Sequence, residues 1–368
     1  MREKENTKKN YFEETYDFYQ REMEKEIQSL NNMKQEEYMF ERKIDEMNQH
    51  YSFNDIKWLS SLRNDFWTFK NLQDLDECLE QLMNIKPCVI PADERWTNYR
   101  RLISSAEYTG GLGRSMKFYV IDQTTNKLLG LIEVKSDFKN VPLRDSFIGW
   151  NKDLKTNHRK LNNIAILSTL IPVPDFGTNA LGAKLIVFLS LSDVIRNYWK
   201  SKYNDVLEGV STTSLYGHDK NGSIYTGNTY FKQLGHSNGN VIFNLTKDLY
   251  SHLSKTISIE FPDKVGKINK KSNPKQRLME FILRTYKLNR LKVQHGFRRG
   301  IYWSSFYIET NDHLNNRNLD KYTPRFNYTV EEIFQKWLPK SIKRFQKLHS
   351  ENRLTTNFKS YEKLIFNI

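Results

Sequence analysis

Asp122, Glu133 and Lys135 are residues of the types that hold a divalent metal ion and act beside it. Two runs rich in strand-forming residues, 116–122 and 127–134, are joined by QTTN and predict a hairpin that brings these residues onto neighbouring strands. Mg²⁺ prefers carboxylate oxygens, and a water bound to it can cleave a phosphodiester. The pattern permits a Mg²⁺-dependent nuclease. Because E-x-K triplets are frequent in a chain with 27% charged residues, the nuclease is an alternative interpretation.

A glycine-bearing junction, PVPDFGTNALGAK at residues 172–184, follows a nearly continuous apolar run and precedes a predicted helix. The free N–H groups of such a helix start can bind a pyrophosphate, so Gly177, Thr178, Asn179 and Gly182 are candidate cofactor-binding residues. The same residues would equally serve to cap the helix and pack it against the sheet. Both readings stay open at the level of sequence.

The chain carries a strongly basic window at residues 264–299, with twelve Lys or Arg and one acid, Glu280. The segment VQHGFRRGIYWSSFY at residues 293–307, which overlaps the end of this window, interleaves basic and aromatic residues that can take phosphates and stack on bases. We therefore predict that Lys270, Lys271, Arg298 and Arg299 contact nucleic acid, with DNA as the expected partner. The alternative is a solvated basic face, or one on which the acidic N-terminal segment docks.

The charge is distributed unevenly along the 368 residues. Residues 1–90 carry a net charge of −6, residues 91–240 of +6 and residues 241–368 of +14. We predict three segments: acidic amphipathic helices at 1–90, an α+β domain at 91–245 and a basic mixed region at 246–368. The long apolar stripe of the first segment offers a handle for self-association or a protein partner.

The elements that must position these residues follow from hydrophobic periodicity. We predict strands at 116–122, 127–134, 163–172, 206–212 and 300–308, a short extended piece at 147–150, and helices at 55–69, 72–83, 179–198, 275–286 and 330–349, with a further helix between Gly227 and Gly235. The order of strands and helices in the middle of the chain predicts an α+β layer with one crossover connection.

Composition excludes several classes of protein. Two cysteines, Cys78 and Cys88, cannot form a disulfide framework or a zinc ribbon, and the eight histidines show no i, i+4 pair, so no metal site other than the hairpin is expected. No apolar run reaches the roughly 18 residues of a membrane helix, and the N-terminus lacks the apolar region of a signal peptide. We expect a cytoplasmic protein that neither spans a membrane nor is secreted.

Several motifs between about residues 108 and 240 occur together in order. They are RDSFIGW at 144–150, Asn162-Asn163, LIPVPDFGTNALG at 170–182, Trp199 with Tyr203, Thr212-Thr213, and YTGNTYFKQLGHSNG at 225–239. In order and spacing this set resembles the DruA family of the Druantia anti-phage system and its relatives in phages and mobile elements. The resemblance covers a little over a third of the chain and implies a role in phage biology or in defence against phages.

The layout is also similar to the GNAT acyltransferase fold, in which a strand, a pyrophosphate-binding loop, a helix and a further strand form a V-shaped cofactor cleft. This resemblance implies a central GNAT-like mixed sheet with flanking helices and an acyl-CoA-type donor. The matching loop, residues 177–182, lacks the usual Arg/Gln-x-x-Gly-x-Gly/Ala pattern. The donor is therefore left unassigned, and a fold-level likeness is an analogy for function.

The leading hypothesis is a DNA-directed protein of phage or anti-phage origin whose GNAT-like domain modifies or senses a nucleic-acid base. Its candidate catalytic residues are Arg144, Asp145, Asn163, Tyr225 and Asn228, with Trp150 as a stacking wall for a base. A non-enzymatic nucleic-acid-binding subunit of a phage or defence assembly is the main alternative. The Mg²⁺-dependent nuclease is the other.

Overall fold

The computed structural model describes residues 2–108, 110, 113–215, 223–238, 241–242, 247–271, 274–287, 294–295, 297–317 and 321–364. The helices are α1 (Arg2–Asn32), α2 (Gln35–His50), α3 (Ile56–Ser61), α4 (Leu75–Met83), α5 (Trp96–Ile103), α6 (Pro142–Ile148), α7 (Lys152–Thr156), α8 (Pro174–Asn179), α9 (Gly182–Leu189), α10 (Asp193–Tyr203), α11 (Lys247–Glu260), α12 (Pro262–Asn269), α13 (Pro274–Thr285), α14 (Thr310–Leu314), α15 (Val330–Ser350) and α16 (Tyr361–Leu364). The strands are β1 (Pro87–Pro91), β2 (Ser115–Asp122), β3 (Lys127–Ser136), β4 (Ile164–Pro172), β5 (Gly209–Ser214), β6 (Lys232–His236), β7 (Val241–Ile242), β8 (Gln294–His295) and β9 (Gly300–Ser305).

The chain forms two compact units that are each built from separated stretches of sequence. Unit 1 contains residues 1–38 and 237–298, and unit 2 contains residues 39–236 and 299–368. This division follows contacts between residues, whereas the segments 1–90, 91–245 and 246–368 follow charge along the chain. Each unit has its own hydrophobic cluster.

Unit 2 is organised around a seven-stranded mixed sheet in the order β1-β2-β3-β4-β5-β9-β6. All neighbouring strands are antiparallel except β4 and β5, which are parallel. The parallel pair needs a crossover, and helices α8, α9 and α10 provide it. The mixed α/β fold with a central sheet and flanking helices is thus confirmed.

The parallel pairing between β4 and β5 is short. It joins Ile164–Ile166 to Gly209–Ser211 and does not continue, although β5 stays paired with β9 through Ser214. The two strands are therefore not paired with each other beyond Ile166 and Ser211.

The strands that the sequence predicts as apolar lie in the core. Strand β4 begins with four buried residues, Ile164 to Leu167, and β3 is buried from Leu128 to Val134. At Gly130 an added Cβ would lie 2.6 Å from Ile186 Cδ1, so glycine allows α9 to pack closely on β3. The predicted strands 116–122, 127–134, 163–172, 206–212 and 300–308 are confirmed within a few residues at their ends, with β9 stopping at Ser305.

Three local predictions are wrong. The predicted extended piece at 147–150 belongs largely to α6, which starts at Pro142 and is ended by Gly149 in the left-handed conformation, φ 83°. The predicted helix between Gly227 and Gly235 is instead a set of turns followed by β6, which pairs with β9. The single predicted helix 179–198 is divided into α8, α9 and α10, because Leu181 adopts a left-handed conformation before α9 and a turn follows Leu189.

Unit 1 has a helical core. Buried apolar side chains from α1, α11, α12 and α13 form one cluster: Met23, Ile27, Leu253, Ile257, Val265, Ile268, Leu278, Met279, Ile282, Leu283 and Tyr286. The predicted helix at 275–286 corresponds to α13. Across the described residues, no helix combines the length and the apolar character needed to cross a membrane.

Candidate functional site

A buried carboxylate, Glu133, is the centre of a polar cluster on the sheet of unit 2. Its side chain is fully shielded from solvent. One oxygen accepts hydrogen bonds from Tyr108 Oη at 2.8 Å and Ser115 Oγ at 3.3 Å, and the other accepts from Ser168 Oγ at 2.8 Å. Lys135 Nζ lies 3.2 Å from the second oxygen. These donors hold Glu133 in one orientation and balance its charge.

Strand alternation and a bulge place these groups on one face. Glu133 lies opposite Lys117 on β2, and Lys135 lies opposite Ser115, so the four share a face of the hairpin. On β4, Thr169 opposes Glu133 whereas Leu167 opposes Val134, which leaves Ser168 as the extra residue of a bulge. The bulge turns the Ser168 hydroxyl toward Glu133, while the residue itself stays exposed.

Three cations surround the ring of Tyr108. Arg100 Cζ lies 4.7 Å from the ring centroid, Lys117 Nζ 5.1 Å and Lys135 Nζ 4.8 Å. Burial and the neighbouring Glu133 raise the pKa of the Tyr108 hydroxyl well above its usual value, so it stays a neutral donor. We call this set, Arg100, Tyr108, Lys117, Glu133, Lys135 and Ser168, the Glu133 centre.

The Glu133 centre lies beside the end of the β4–β5 pairing. Ser168 is two residues beyond the last β4 residue that pairs with β5, and Thr212 Oγ1 of β5 donates to the Leu167 carbonyl at 3.0 Å just before it. The polar side chains thus lie beside the end of the β4–β5 pairing. Ser168 is exposed to solvent at this point.

Asp122 and Glu133 do not form a shared metal site, so the nuclease interpretation of the hairpin is wrong. Asp122 opposes Lys127 at the turn end, whereas Glu133 opposes Lys117, five residues or about 17 Å away along β2. Asp122 instead accepts from the Lys86 and Thr124 backbone N–H groups and from Thr125 Oγ1. Among the described residues, no three His, Cys, Asp or Glu side chains are grouped to hold a metal ion.

Arg144 and Asp145 are brought together as predicted, inside a buried ion network. Arg144 lies 2.9 Å from Asp137 and 2.6 Å from Asp145, and Lys155 Nζ lies 2.7 Å from Asp145. The charges of the two cations and the two carboxylates therefore cancel within the network. Trp150 packs against the Arg144 guanidinium at 5.6 Å and donates from Nε1 to the Leu314 carbonyl at 2.9 Å, with 8% of its surface exposed. The predicted stacking wall is thus covered by protein.

The other predicted catalytic residues lie apart from this network, and the side chains of Asn163 and Asn228 hydrogen-bond to backbone groups. Asn163 Nδ2 donates to the Val206 carbonyl at 3.0 Å, and the Asn163 carbonyl accepts from Glu208 N, which joins the starts of β4 and β5. Asn228 Oδ1 accepts from Tyr230 N within a turn. Tyr225 is buried against Tyr302 and Phe231, and burial raises its pKa to about 12.

Residues 177–182 span the end of α8, the break at Ala180 and Leu181, and the start of α9, and they pack against protein groups. Gly177 and Asn179 belong to α8, and an added Cβ at Gly177 would lie 2.5 Å from Pro172 Cγ. Asn179 is fully buried and bonds Asp175 Oδ1, while Thr178 is exposed. At Gly182 a Cβ would lie 2.3 Å from the Phe176 ring.

Helix α15 closes over the same junction. Trp337 Nε1 donates to the Leu181 carbonyl at 3.0 Å, and Ser341 Oγ donates to the Ala180 carbonyl at 2.6 Å. The junction lies about 30 Å along β4 from Asn163, so the predicted cofactor-binding residues and that amide are at opposite ends of the strand.

In unit 1, a row of lysines follows one side of α12 and the turn after it. Lys264, Lys267 and Lys271 are spaced by three and four residues, and Lys270 adjoins them, while Val265 and Ile268 face the core. All four lysines are exposed, and none makes an ion pair with another described residue. Arg298 of unit 1 and Arg299 of unit 2 are also exposed.

Comparison with known sequences places the chain in a protein family. The profile described as "Druantia protein DruA" matches residues 42–316. The chain belongs to the DruA family. A curated member, Druantia protein DruA of Escherichia coli (strain UMEA 4076-1), is 27% identical over an alignment of 166 residues, and the match covers 40% of this chain and 40% of that protein. The alignment thus spans less than half of the relative, and no solved structure matches the chain. The DruA profile includes both the Glu133 centre and the α12–α13 lysines.

Sequence reasoning missed most of the Glu133 centre. It selected Glu133 and Lys135 for a metal site, and passed over Tyr108, Arg100 and Ser168. One available signal was Lys117 within MKFYVID, a cation in an otherwise apolar strand. Its partners could not be found because Arg100 and Tyr108 reach the sheet from outside the strands.

Proposed function

We propose that this DruA-family protein is a nucleic-acid-directed component of bacterial defence against phages, acting in the cytoplasm, and that unit 1 binds the phosphate backbone of DNA. The family name supports the link to Druantia. The observation that carries the binding role is the row of exposed lysines Lys264, Lys267, Lys270 and Lys271, which form no ion pair with any residue that the structure describes.

Such a row suits a polyanion because each lysine that neutralises a phosphate releases a condensed counterion. The apolar side of α12 fixes the helix on the core of unit 1, so the ammonium groups are presented from a rigid element. Asp263 is the acid on α12, and Glu280 lies on α13 beside Arg284. The excess of positive charge on this side is therefore large.

In unit 2, the proposal assigns sensing of a nucleic-acid base to the GNAT-like sheet, with base modification as the second candidate. The end of the β4–β5 pairing and the polar groups beside it support the second candidate. An acyl-CoA-type donor would need a site other than residues 177–182, because protein groups fill that junction.

The test of binding is fluorescence anisotropy with labelled duplex DNA over a range of NaCl concentrations. Replacing Lys264, Lys267, Lys270 and Lys271 by Gln should weaken binding at least tenfold and reduce the slope of log K against log salt by about 3 to 4. The matched control replaces four exposed lysines of unit 2, Lys139, Lys152, Lys340 and Lys343, by Gln and so removes the same charge.

Control binding within about twofold of the unaltered protein would assign the effect to unit 1 rather than to net charge. The proposal fails if the unaltered protein shows no salt-dependent binding, or if the two quadruple variants bind equally. Nucleoside mass spectrometry of DNA from cells expressing the protein addresses modification, since a new nucleoside reveals the added group by its mass.

A further inference from the structure

The Glu133 centre has more positive charge than its own carboxylate can balance. Arg100, Lys117 and Lys135 surround Tyr108, and Glu133 is the one carboxylate that bonds within this set. Two further cations, Lys43 and Arg101, lie on the neighbouring helices, and both form ion pairs with Glu46. No ion pair among the described residues supplies Lys117 with a carboxylate partner.

Two of these cations are reachable from solvent. Lys117, Lys135 and Tyr108 are half-buried, and 15% of the Lys135 side chain is exposed. Arg100, by contrast, is buried and already donates to the Ala106 and Glu107 carbonyls and to Thr169. A ligand would therefore meet the two lysines, with Arg100 adding its charge from behind.

The ammonium groups of the two lysines also retain N–H donors for a ligand. An ammonium group carries three N–H donors. Lys117 Nζ donates to Thr97 Oγ1 at 3.0 Å, and Lys135 Nζ donates to the Gly110 carbonyl at 3.2 Å in addition to its contact with Glu133. Both groups lie on adjacent strands flanking Glu133, so the strand pairing fixes their separation.

An anion between the lysines would reduce the electrostatic repulsion among the cations of this cluster. Desolvation lowers the pKa of Lys117, and the nearby Lys135, Arg100 and Arg101 lower it further, against the attraction of Glu133. Like charges held together in a partly desolvated place are unfavourable until an anion joins them. Tyr108 and Trp96 offset part of the repulsion by cation–π contacts, with Lys117 4.8 Å from the Trp96 ring.

We propose that the Glu133 centre binds a phosphate group, held by Lys117 and Lys135 beside the end of the β4–β5 pairing, with Ser168 at its edge. This site is separate from the lysine row of unit 1 and does not depend on the backbone-binding role proposed for that unit. The phosphate can come from a free nucleotide or from the end of a nucleic-acid strand.

Isothermal titration calorimetry on the full chain tests the site with three probes: pyrophosphate, ATP and a 5′-phosphorylated tetrathymidylate beside its unphosphorylated form. We expect saturable binding that the Lys117→Gln/Lys135→Gln variant weakens at least tenfold. Lys117→Arg/Lys135→Arg should retain binding within a few-fold. The matched control is Lys127→Gln, at the far end of the same hairpin, which should bind as the unaltered protein does.

Each outcome is decisive. Equal binding of pyrophosphate and ATP would identify free phosphates as ligands, and binding of the phosphorylated oligonucleotide alone would identify a strand end. The proposal is overturned if no probe binds, or if the folded Gln variant binds like the unaltered protein. Should the double variant fail to fold by circular dichroism, Lys117→Gln alone replaces it, because Lys117 makes one side-chain hydrogen bond.

The test also separates this proposal from the proposed function. The quadruple Gln variant of unit 1 should bind pyrophosphate normally while losing salt-dependent duplex binding. The reverse pattern is expected of the Lys117/Lys135 variant. Loss of both properties in either variant would contradict the assignment of two separate sites.

Discussion

Arg144 Nη1 lies 2.9 Å from Asp137 Oδ2 at a place where both side chains are completely shielded from water. Asp137 directly follows β3, and Arg144 lies on α6. Ser211 Oγ of β5 donates to the same Asp137 oxygen at 2.7 Å. The ion pair therefore links α6 to the residue that follows β3. The hydrogen bond from Ser211 links the same residue to β5.

Replacing Arg144 by Ala should lower the free energy of unfolding by about 3 to 5 kcal/mol, because it removes the cation paired with buried Asp137 and leaves Asp145 with Lys155 alone. Urea denaturation followed by circular dichroism measures the loss. Arg317→Ala, which removes an arginine side chain that is 72% exposed, is the control and should change stability by less than about 1 kcal/mol. A folded Arg144→Ala protein of unaltered stability would instead favour a role in binding.

Gly182→Ala should destabilise unit 2 by about 1 to 3 kcal/mol, since the new methyl group would lie 2.3 Å from the Phe176 ring and 2.7 Å from its carbonyl oxygen. Gly266→Ala on α12 is the matched change, because nothing lies within 4 Å of its Cβ position. There alanine should stabilise the helix by up to about 1 kcal/mol. Thermal melts of both variants compare the two effects, and equal melting temperatures would contradict the packing role of Gly182.

Glu208 should make stability depend on pH. Burial raises its pKa from 4.5 to about 7, against an opposing effect of Lys160, while His313 Nδ1 lies 3.4 Å from the carboxylate and the tilted ring of Tyr322 contacts His313. A raised pKa means that the folded protein holds the proton more tightly than the unfolded chain. The resulting stabilisation is complete below pH 4.5 and is lost as pH rises through 7.

The measurement is a series of unfolding curves between pH 4.5 and 8 for Glu208→Gln and the unaltered protein. Gln cannot titrate, so the variant should gain about 3 kcal/mol relative to the unaltered protein across this range. Glu351→Gln, an exposed carboxylate, should show no such trend. Parallel curves for Glu208→Gln and the unaltered protein would refute the prediction.

Tyr225→Phe should leave DNA binding unchanged and cost less than about 1 kcal/mol. The hydroxyl makes a long contact with Thr212 Oγ1, 3.4 Å, and its pKa of about 12 keeps it protonated at neutral pH. Anisotropy and thermal melting report the two properties. A large loss of DNA affinity without unfolding would give Tyr225 a direct role in recognition.

Most of the strands and the longest helices were predictable from local pattern. The alternation in residues 116–122 and 127–134 forms the β2–β3 hairpin, and the apolar run at 163–172 forms β4. Thr329 caps α15, which was predicted at 330–349, and Glu332 completes a reciprocal capping box. Such patterns depend on residues that are close together in the sequence. They can therefore be recognised without knowing which distant segments pack against them.

The Glu133 centre was not predictable as a site, although two of its residues were noticed. Glu133 and Lys135 were associated with Asp122, because the sequence does not reveal that hairpin register places Asp122 at the other end. The register also brings Lys117 beside Glu133, and one extra residue in β4 exposes Ser168. A single-residue bulge has no reliable signature in one sequence.

The sequence by itself determined the mixed α/β class, five strands of the central sheet, the basic window at residues 264–299 and the resemblance to the DruA family. Only the tertiary structure decided that residues 1–38 join 237–298 in one unit, that Arg144 is buried, and that Arg100, Lys117 and Lys135 meet around Tyr108. The physical reason is that propensity and periodicity depend on near neighbours. Burial and charge clustering depend on which distant segments the sheet order and helix packing bring together.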